Sequence, residues 1–352
     1  MGEKIILRSS IHIHTYASDG IGSIQEICRV ASSENLDCVV FSDHETLGHN
    51  FNGFAGKILV ITGEEITPAY CEDLNPSGSV KAASGSSHIL TLGLSKAIQN
   101  DGRTAQELID QVLIEGGLSF IAHPEEPGHF WEQWPVTGFS GVEIWTYKAA
   151  WKIGAALAPS RAYAWRNPDS VLAGPSNTAL RIWDVEGQKR RVIGLGCSDQ
   201  HGHPFEIEGT TRKLFDWEIG LTGIVSYVLV DPVAFDRNPV QAFLAAVRGG
   251  HVIIAHDGLA LARGFTVKAV DAQLEQVYWP GDEVPDKANL NLQIESHRPA
   301  EIRIIKNGSI YQETKTQKWS VPINGRGVWR IEAYLDGRPW IFANPFYVGG
   351  WS

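Results

Sequence analysis

The stretch "SSIHIHTYASDG", residues 9–20, follows the apolar run "KIIL" at 4–7 and carries two histidines one residue apart. Read as the end of a β-strand, it turns His12 and His14 to the same face, because strand side chains alternate. Two imidazoles aimed at one point can hold a metal ion. An H-x-H pair also arises by chance, so the pair alone does not decide. What decides is whether other strand ends carry matching groups.

Several do. "LDCVVFSDH" (36–44) reads as a buried strand ending in Asp43-His44, and "KILVITGEE" (57–65) as another ending in Glu64-Glu65. "LSFIAHP" (118–124) ends in His123, and "RVIGLGCSDQHG" (191–202) ends in Asp199 and His201. Amphipathic helices lie between the strands. In "GSIQEICRVASSEN" Ser23 and Glu26 form a capping box, and Ile24, Ile27, Cys28 and Ala31 line one face. In "TAQELIDQVLIEGG" Thr104 and Glu107 do the same, and the glycines stop the helix. About seven strands in such alternation predict an α/β architecture with a mainly parallel sheet, closed into a barrel. In a parallel barrel the strand C-termini share one face, so ligands scattered along the chain converge. His88 stands at the start of "HILTLGL" and joins them only if that strand runs backwards or the loop before it folds inward.

Imidazole and carboxylate together suit zinc, manganese or iron, and need no cysteine. The mix predicts two or three divalent ions. One bridging carboxylate would set two of them about 3.5–4 Å apart, and a water between them would lose its proton near neutral pH and become a nucleophile. The four cysteines, Cys28, Cys38, Cys71 and Cys197, show no paired spacing. "MGEKIILRSS" lacks the apolar core of a signal peptide, and no apolar run spans a bilayer. These features predict a cytoplasmic protein. A net charge of −10 argues against a broad basic surface for long nucleic acid, leaving a small-molecule substrate as the expected partner. The oligomeric state is left open.

From residue 262 the character changes. "ARGFTVKAV", "NLNLQIES", "EIRIIKNGSIYQE" and "GVWRIEAYLDGRPWIFANPFYV" alternate apolar and polar residues, with Asn307-Gly308 and Asp336-Gly337 as hairpin turns. The division expected is 1–261 for the barrel and 262–352 for a small antiparallel, sandwich-like β domain.

The order "HIHTYASDG", "FSDHETLG", "TGEEIT", "SSHILTLGL", "IAHPEE", "GCSDQHG" resembles the PHP (polymerase and histidinol phosphatase) superfamily over residues 9–203. The C-terminal third is similar to its carbaryl-hydrolase-like branch. The resemblance implies a distorted (β/α)7 barrel with a two- or three-metal centre. It implies that His12, His14, Glu65 and Asp199 hold a first ion, and that Glu65 bridges to a second held by His88 and His123. His44, His201 and Asp19 would hold a third. Glu65 stands in the ligand place of the G-x-E motif, rather than Glu64. Ser10 and Asp19 depart from the pattern, standing where many members carry an acid and some a histidine.

The reaction expected first is phosphoester hydrolysis, with Glu65, Asp199 and His201 carrying the chemistry. Such a site wants a cation against the phosphate, and Arg161, Arg166, Arg181, Arg190, Arg191 and Arg212 are all open. The alternative is hydrolysis of a carboxyl ester, carbamate or amide by the same centre. It draws on the aromatic "HPEEPGHFWEQWP" with Phe130, Trp131 and Trp134, in which Glu125 and Glu126 read as solvated. A metal-holding scaffold without catalysis is the third reading. His129, Trp131 and His203 are candidate substrate contacts, and His129 or His203 a candidate general acid. Trp145 and Lys148, after a strand end, are candidate pocket walls.

Overall fold

The computed structural model describes residues 3–48, 50–69, 87–207, 210–213, 216–271, 273–286 and 290–351; His49 and Cys71 lie outside them, as does the side chain of Arg212. Most strands join one mixed sheet of 17 strands among the described residues. Strand β1 (Ile5–Ile13) precedes helix α1 (Ile24–Ser33), then β2 (Cys38–Phe41) and β3 (Ile58–Ile66). Next come β4 (Ile89–Leu92), α2 (Ala105–Ile114), β5 (Leu118–Ile121), β6 (Gly141–Thr146), α3 (Tyr147–Ala156) and β7 (Ile193–Cys197).

β1, β2 and β3 pair in parallel, as do β5, β6 and β7. β4 is antiparallel to both β3 and β5, so it runs backwards. His88, which precedes its first residue, therefore stands at the same end as the residues that close the parallel strands. After β7 the chain returns to β1: Ser198 N donates to Ile11 O at 2.8 Å, and His14 N to Gln200 O at 2.9 Å. The seven strands thus follow one another in a ring of pairings. Both predicted capping boxes form, Ser23 with Glu26 and Thr104 with Glu107, and each helix buries its apolar stripe.

The sheet continues beyond the ring. β8 (Ile224–Val230) is antiparallel to β1, and β9 (Val252–His256) to β8. β10 (Thr266–Asp271), β11 (Leu290–Lys306), β12 (Ser309–Ile323), β13 (Gly327–Leu335) and β14 (Arg338–Val348) complete an antiparallel region. β14 joins it to β9, with Ile253 opposite Ala343. Asn307-Gly308 turns β11 into β12 and Asp336-Gly337 turns β13 into β14, each pair with positive φ as a two-residue hairpin requires. Asn344 locks the two regions together: its amide accepts from Gly194 N at 2.8 Å and donates to Gly194 O and Val252 O. One apolar cluster runs from Ile13, Val39 and Ile253 to Ile302, Trp329 and Trp340. Among the described residues no helix is long and apolar enough to cross a membrane.

Candidate metal centre

The strand ends meet around one carboxylate. Glu65, near the end of β3, is buried. Its Oε2 lies 3.0 Å from His12 Nε2, 3.2 Å from His14 Nε2 and 3.5 Å from His44 Nδ1. Its Oε1 lies 2.8 Å from His88 Nδ1 and 3.0 Å from His123 Nε2. Asp199 Oδ1 closes the first side, 3.5 Å from His14 Nε2 and 3.8 Å from His12 Nε2. A third group surrounds Asp19, with His201 Nε2 at 3.3 Å, His14 Nδ1 at 3.5 Å and His44 Nε2 at 3.8 Å. His14 thus faces two groups, one with each ring nitrogen. All nine metal-ligand candidates of the sequence fall into this assembly, and of the four ligand-type groups among the described residues three are drawn from them alone.

Several of the nitrogens face carboxylate oxygens without forming an aligned hydrogen bond. His12 Nε2, both nitrogens of His14 and His123 Nδ1 are buried without a hydrogen bond. Buried polar atoms are normally satisfied, so this donor set fits a divalent cation better than a hydrogen-bonded network. The charges agree. Burial disfavours ionised Glu65, yet the imidazoles of His12 and His88 hold its pKa well below the usual carboxylate range. Burial likewise opposes protonated His12, but the carboxylates of Glu65, Glu143 and Asp199 raise its pKa well above 6.5. At His123 burial is outweighed by Glu65 and Glu126, which push the ring up to about 9. The cluster demands positive charge at its middle, which ions can supply in place of protons. His44 sits differently: burial dominates there and lowers its pKa to about 4, keeping the ring neutral and free to ligate.

The backbone bends to deliver these groups. His12, His123 and Asp199 have φ of 70°, 24° and 52°, values non-glycine residues adopt at a cost that functional sites tolerate. At His12 the pairing of β1 with β2 shifts register between Ile11 and Ile13.

Residues that sequence reading passed over hold the assembly in place. Glu143, inside β6, accepts from His12 Nδ1 at 2.6 Å, from the His123 amide at 2.8 Å and from the Thr146 hydroxyl at 3.0 Å. It fixes the His12 ring with Nε2 turned toward Glu65. Its only sequence signal is an acid within an otherwise apolar strand, "GVEIWT". Glu126 is not solvated: it is buried beside His123, with Oε2 3.3 Å from His123 Nδ1, and it pairs with Lys152. Asp43 accepts from Thr15 N and Oγ1 and from Ser18 Oγ, shaping the loop after β1. Glu64 turns the other way, accepting from Ile98 N at 2.8 Å, and burial raises its pKa to about 7.

The candidate substrate contacts divide. His129 stands beside the centre, its ring 5.5 Å from that of His88, and His203 lies at the rim, 5.4 Å from His201. Trp131 is instead buried in the apolar core, its ring 6.1 Å from Trp134, which packs in turn on Phe139. Packing therefore replaces the expected substrate contact there. Trp145 is likewise buried, its indole N–H donating to Ala173 O. Among the described side chains, the candidate arginines make other contacts or stand exposed. Arg190 stacks on Phe139, Arg191 pairs with Glu283, and Arg161, Arg166 and Arg181 are exposed on helices. Lys148 does reach the centre, with Nζ 2.9 Å from Asp199 Oδ2.

No family model matches the chain, and no curated protein matches it. Solved structures with a distant likeness include a two-domain protein from Bacteroides vulgatus containing a predicted PHP-like metal-dependent phosphoesterase. It is 14% identical, with 98% of this chain and 97% of that chain covered and a TM-score of 0.45. The lesion-specific endonuclease PfuEndoQ from Pyrococcus furiosus is 13% identical over 76% of this chain and 63% of that chain, with a TM-score of 0.42. An amidohydrolase from Chromobacterium violaceum, with bound sulfate and no metal, is 12% identical over 59% and 92%, with a TM-score of 0.34. Likeness this distant leaves the chemistry to be read from the residues.

Proposed function

We propose that this chain is a metal-dependent hydrolase of the PHP type that cleaves small phosphate esters in the cytoplasm. The observation that carries the reading is Glu65, whose two oxygens face two separate sets of imidazoles. That is the arrangement a bridging carboxylate needs. The quoted motifs from His12 to His201 support the same family, and so does the ring of seven strands, taken as a distorted (β/α)7 barrel over 1–261. Residues 262–352 are then the added β unit.

In this reading His12, His14, Glu65 and Asp199 hold one ion; Glu65, His88 and His123 hold a second; His44, His201 and Asp19 hold a third. Bound divalent ions would activate water and polarise the substrate oxygen, with zinc, manganese or iron all suited to the ligands. The chain's own part is positional. Glu143 orients His12, Lys148 lies beside Asp199, and His129 keeps a titratable ring next to His88.

The test is turnover by protein of known metal content. An aryl phosphate, an aryl phosphodiester and an aryl carbamate are compared, with and without chelator. Chelator-sensitive turnover of a phosphate is the expected result. Turnover of the carbamate alone would replace the reaction with carbon-ester hydrolysis, which Phe130, 47% exposed next to His129, supports as a second reading. Fully metallated protein that turns over nothing favours the scaffold.

A further inference from the structure

We infer that Lys148 is the side chain that receives the anionic oxygen of the substrate, which rests on the hydrolase reading above. Substrates of this site would then carry a negative charge next to the bond that is cleaved. The inference starts from a charge ladder on one face of α3. Lys148 and Lys152 stand one turn apart, and Glu126 lies against both. Lys152 pairs with Glu126 Oε1, while Lys148 Nζ sits 3.8 Å from that oxygen and 2.9 Å from Asp199 Oδ2. Lys152 thus answers the charge of Glu126, and Lys148 is left with one close carboxylate.

An ammonium has three donors. Lys148 has one close acceptor among these carboxylates, and its side chain is 22% exposed where Asp199 and Glu126 are at most 2% exposed. It is therefore a group of the assembly that faces both a candidate ligand and solvent. The same lysine answers a question that the arginines leave open: each of those described is engaged elsewhere or exposed on a helix. Its position is fixed by local structure. It is the second residue of α3, directly after β6, and its amide faces Ser198 O at 3.4 Å. Thr146, at the helix N-cap, makes no side-chain cap and gives its hydroxyl to Glu143. The first turn is thus tied to the strand that orients His12, which sets Lys148 against the centre. An anion arriving there meets an ammonium that is already desolvated on one side, where a charge-assisted hydrogen bond is strong.

Inorganic phosphate is the probe. Its binding to metal-loaded protein is measured by calorimetry for the native chain, Lys148→Met and Lys148→Arg, with metal content determined on each sample. Lys148→Met should keep its metal and bind phosphate about 10- to 100-fold more weakly, the cost of one charge-assisted hydrogen bond. Lys148→Arg should restore part of the affinity. Unchanged phosphate affinity in Lys148→Met overturns the inference. So does loss of metal from that variant, which would make Lys148 a prop for Asp199. A metal-loaded native chain that binds no phosphate overturns it too. Phosphate binding without turnover of any ester removes the hydrolase reading and leaves Lys148 an anion-binding group.

Discussion

Glu143 touches both His12 and His123, and its carboxylate is buried with no access to solvent. Glu143→Gln keeps the shape and removes the charge that holds His12 in one tautomer. Metal affinity should fall by about 10- to 100-fold, as for other groups that orient a ligand. Competition with a chelator measures this, and an unchanged affinity would contradict the role. His256 makes a prediction about pH. It is buried against Trp145, and burial lowers its pKa from 6.5 to about 3. Below pH 6.5 the unfolded chain takes up a proton that the folded chain refuses. Stability therefore drops on acidification by up to about 1.4 kcal/mol per pH unit until the folded value is reached. His256→Phe should flatten that slope between pH 6 and 4 in metal-free protein, as read by urea unfolding. An identical slope would show that the ring is not held neutral. At this scale the residues that gather round Glu65 were legible as strand-end histidines and acids, although Asp43 and Glu64 close apolar runs as well and turn to structural hydrogen bonds. Glu143 and Glu126 were not, since nothing in "GVEIWT" or "HPEEPG" tells a buried acid from a solvated one.

β4 shows what periodicity leaves open at the scale of an element. An apolar run has no direction, so "HILTLGL" could not say that it runs against its neighbours. Only that reversal brings His88 to Glu65. The helix starts, by contrast, were legible residue by residue, because a capping box needs only two side chains three apart. Gly63 governs the contact between β3 and β4. It pairs with Leu92, and a Cβ there would lie 2.1 Å from Thr91 O and 2.8 Å from Leu92 Cδ2. Gly63→Ala must therefore push the strands apart. The expected cost is about 1–3 kcal/mol by thermal unfolding, with a lower metal content as Glu65 and His88 move apart. Native stability together with native metal content would contradict the tight pairing.

Across the whole molecule, the change of pattern at residue 262 was plain, but its meaning was not. Alternating strands read as a small β unit, and the sequence is silent on how it attaches: β14 pairs with β9, and Asn344 spans from β14 to Gly194 in β7. Long-range pairing of this kind leaves no mark in local sequence. Asn344→Leu strands Gly194 N–H and two carbonyls in the interior. It should cost about 1–3 kcal/mol for each group left unpaired, and the loss should appear in a single cooperative transition. Two separate transitions, with only one shifted, would mean that the regions fold independently. The central claim concerns Glu65, and divalent-metal content per chain tests it most directly. Native protein and Glu65→Gln are loaded with metal, freed of excess by dialysis and analysed side by side. The account predicts two or three ions in the native chain and the loss of at least one in the variant. Equal metal content in both would contradict it.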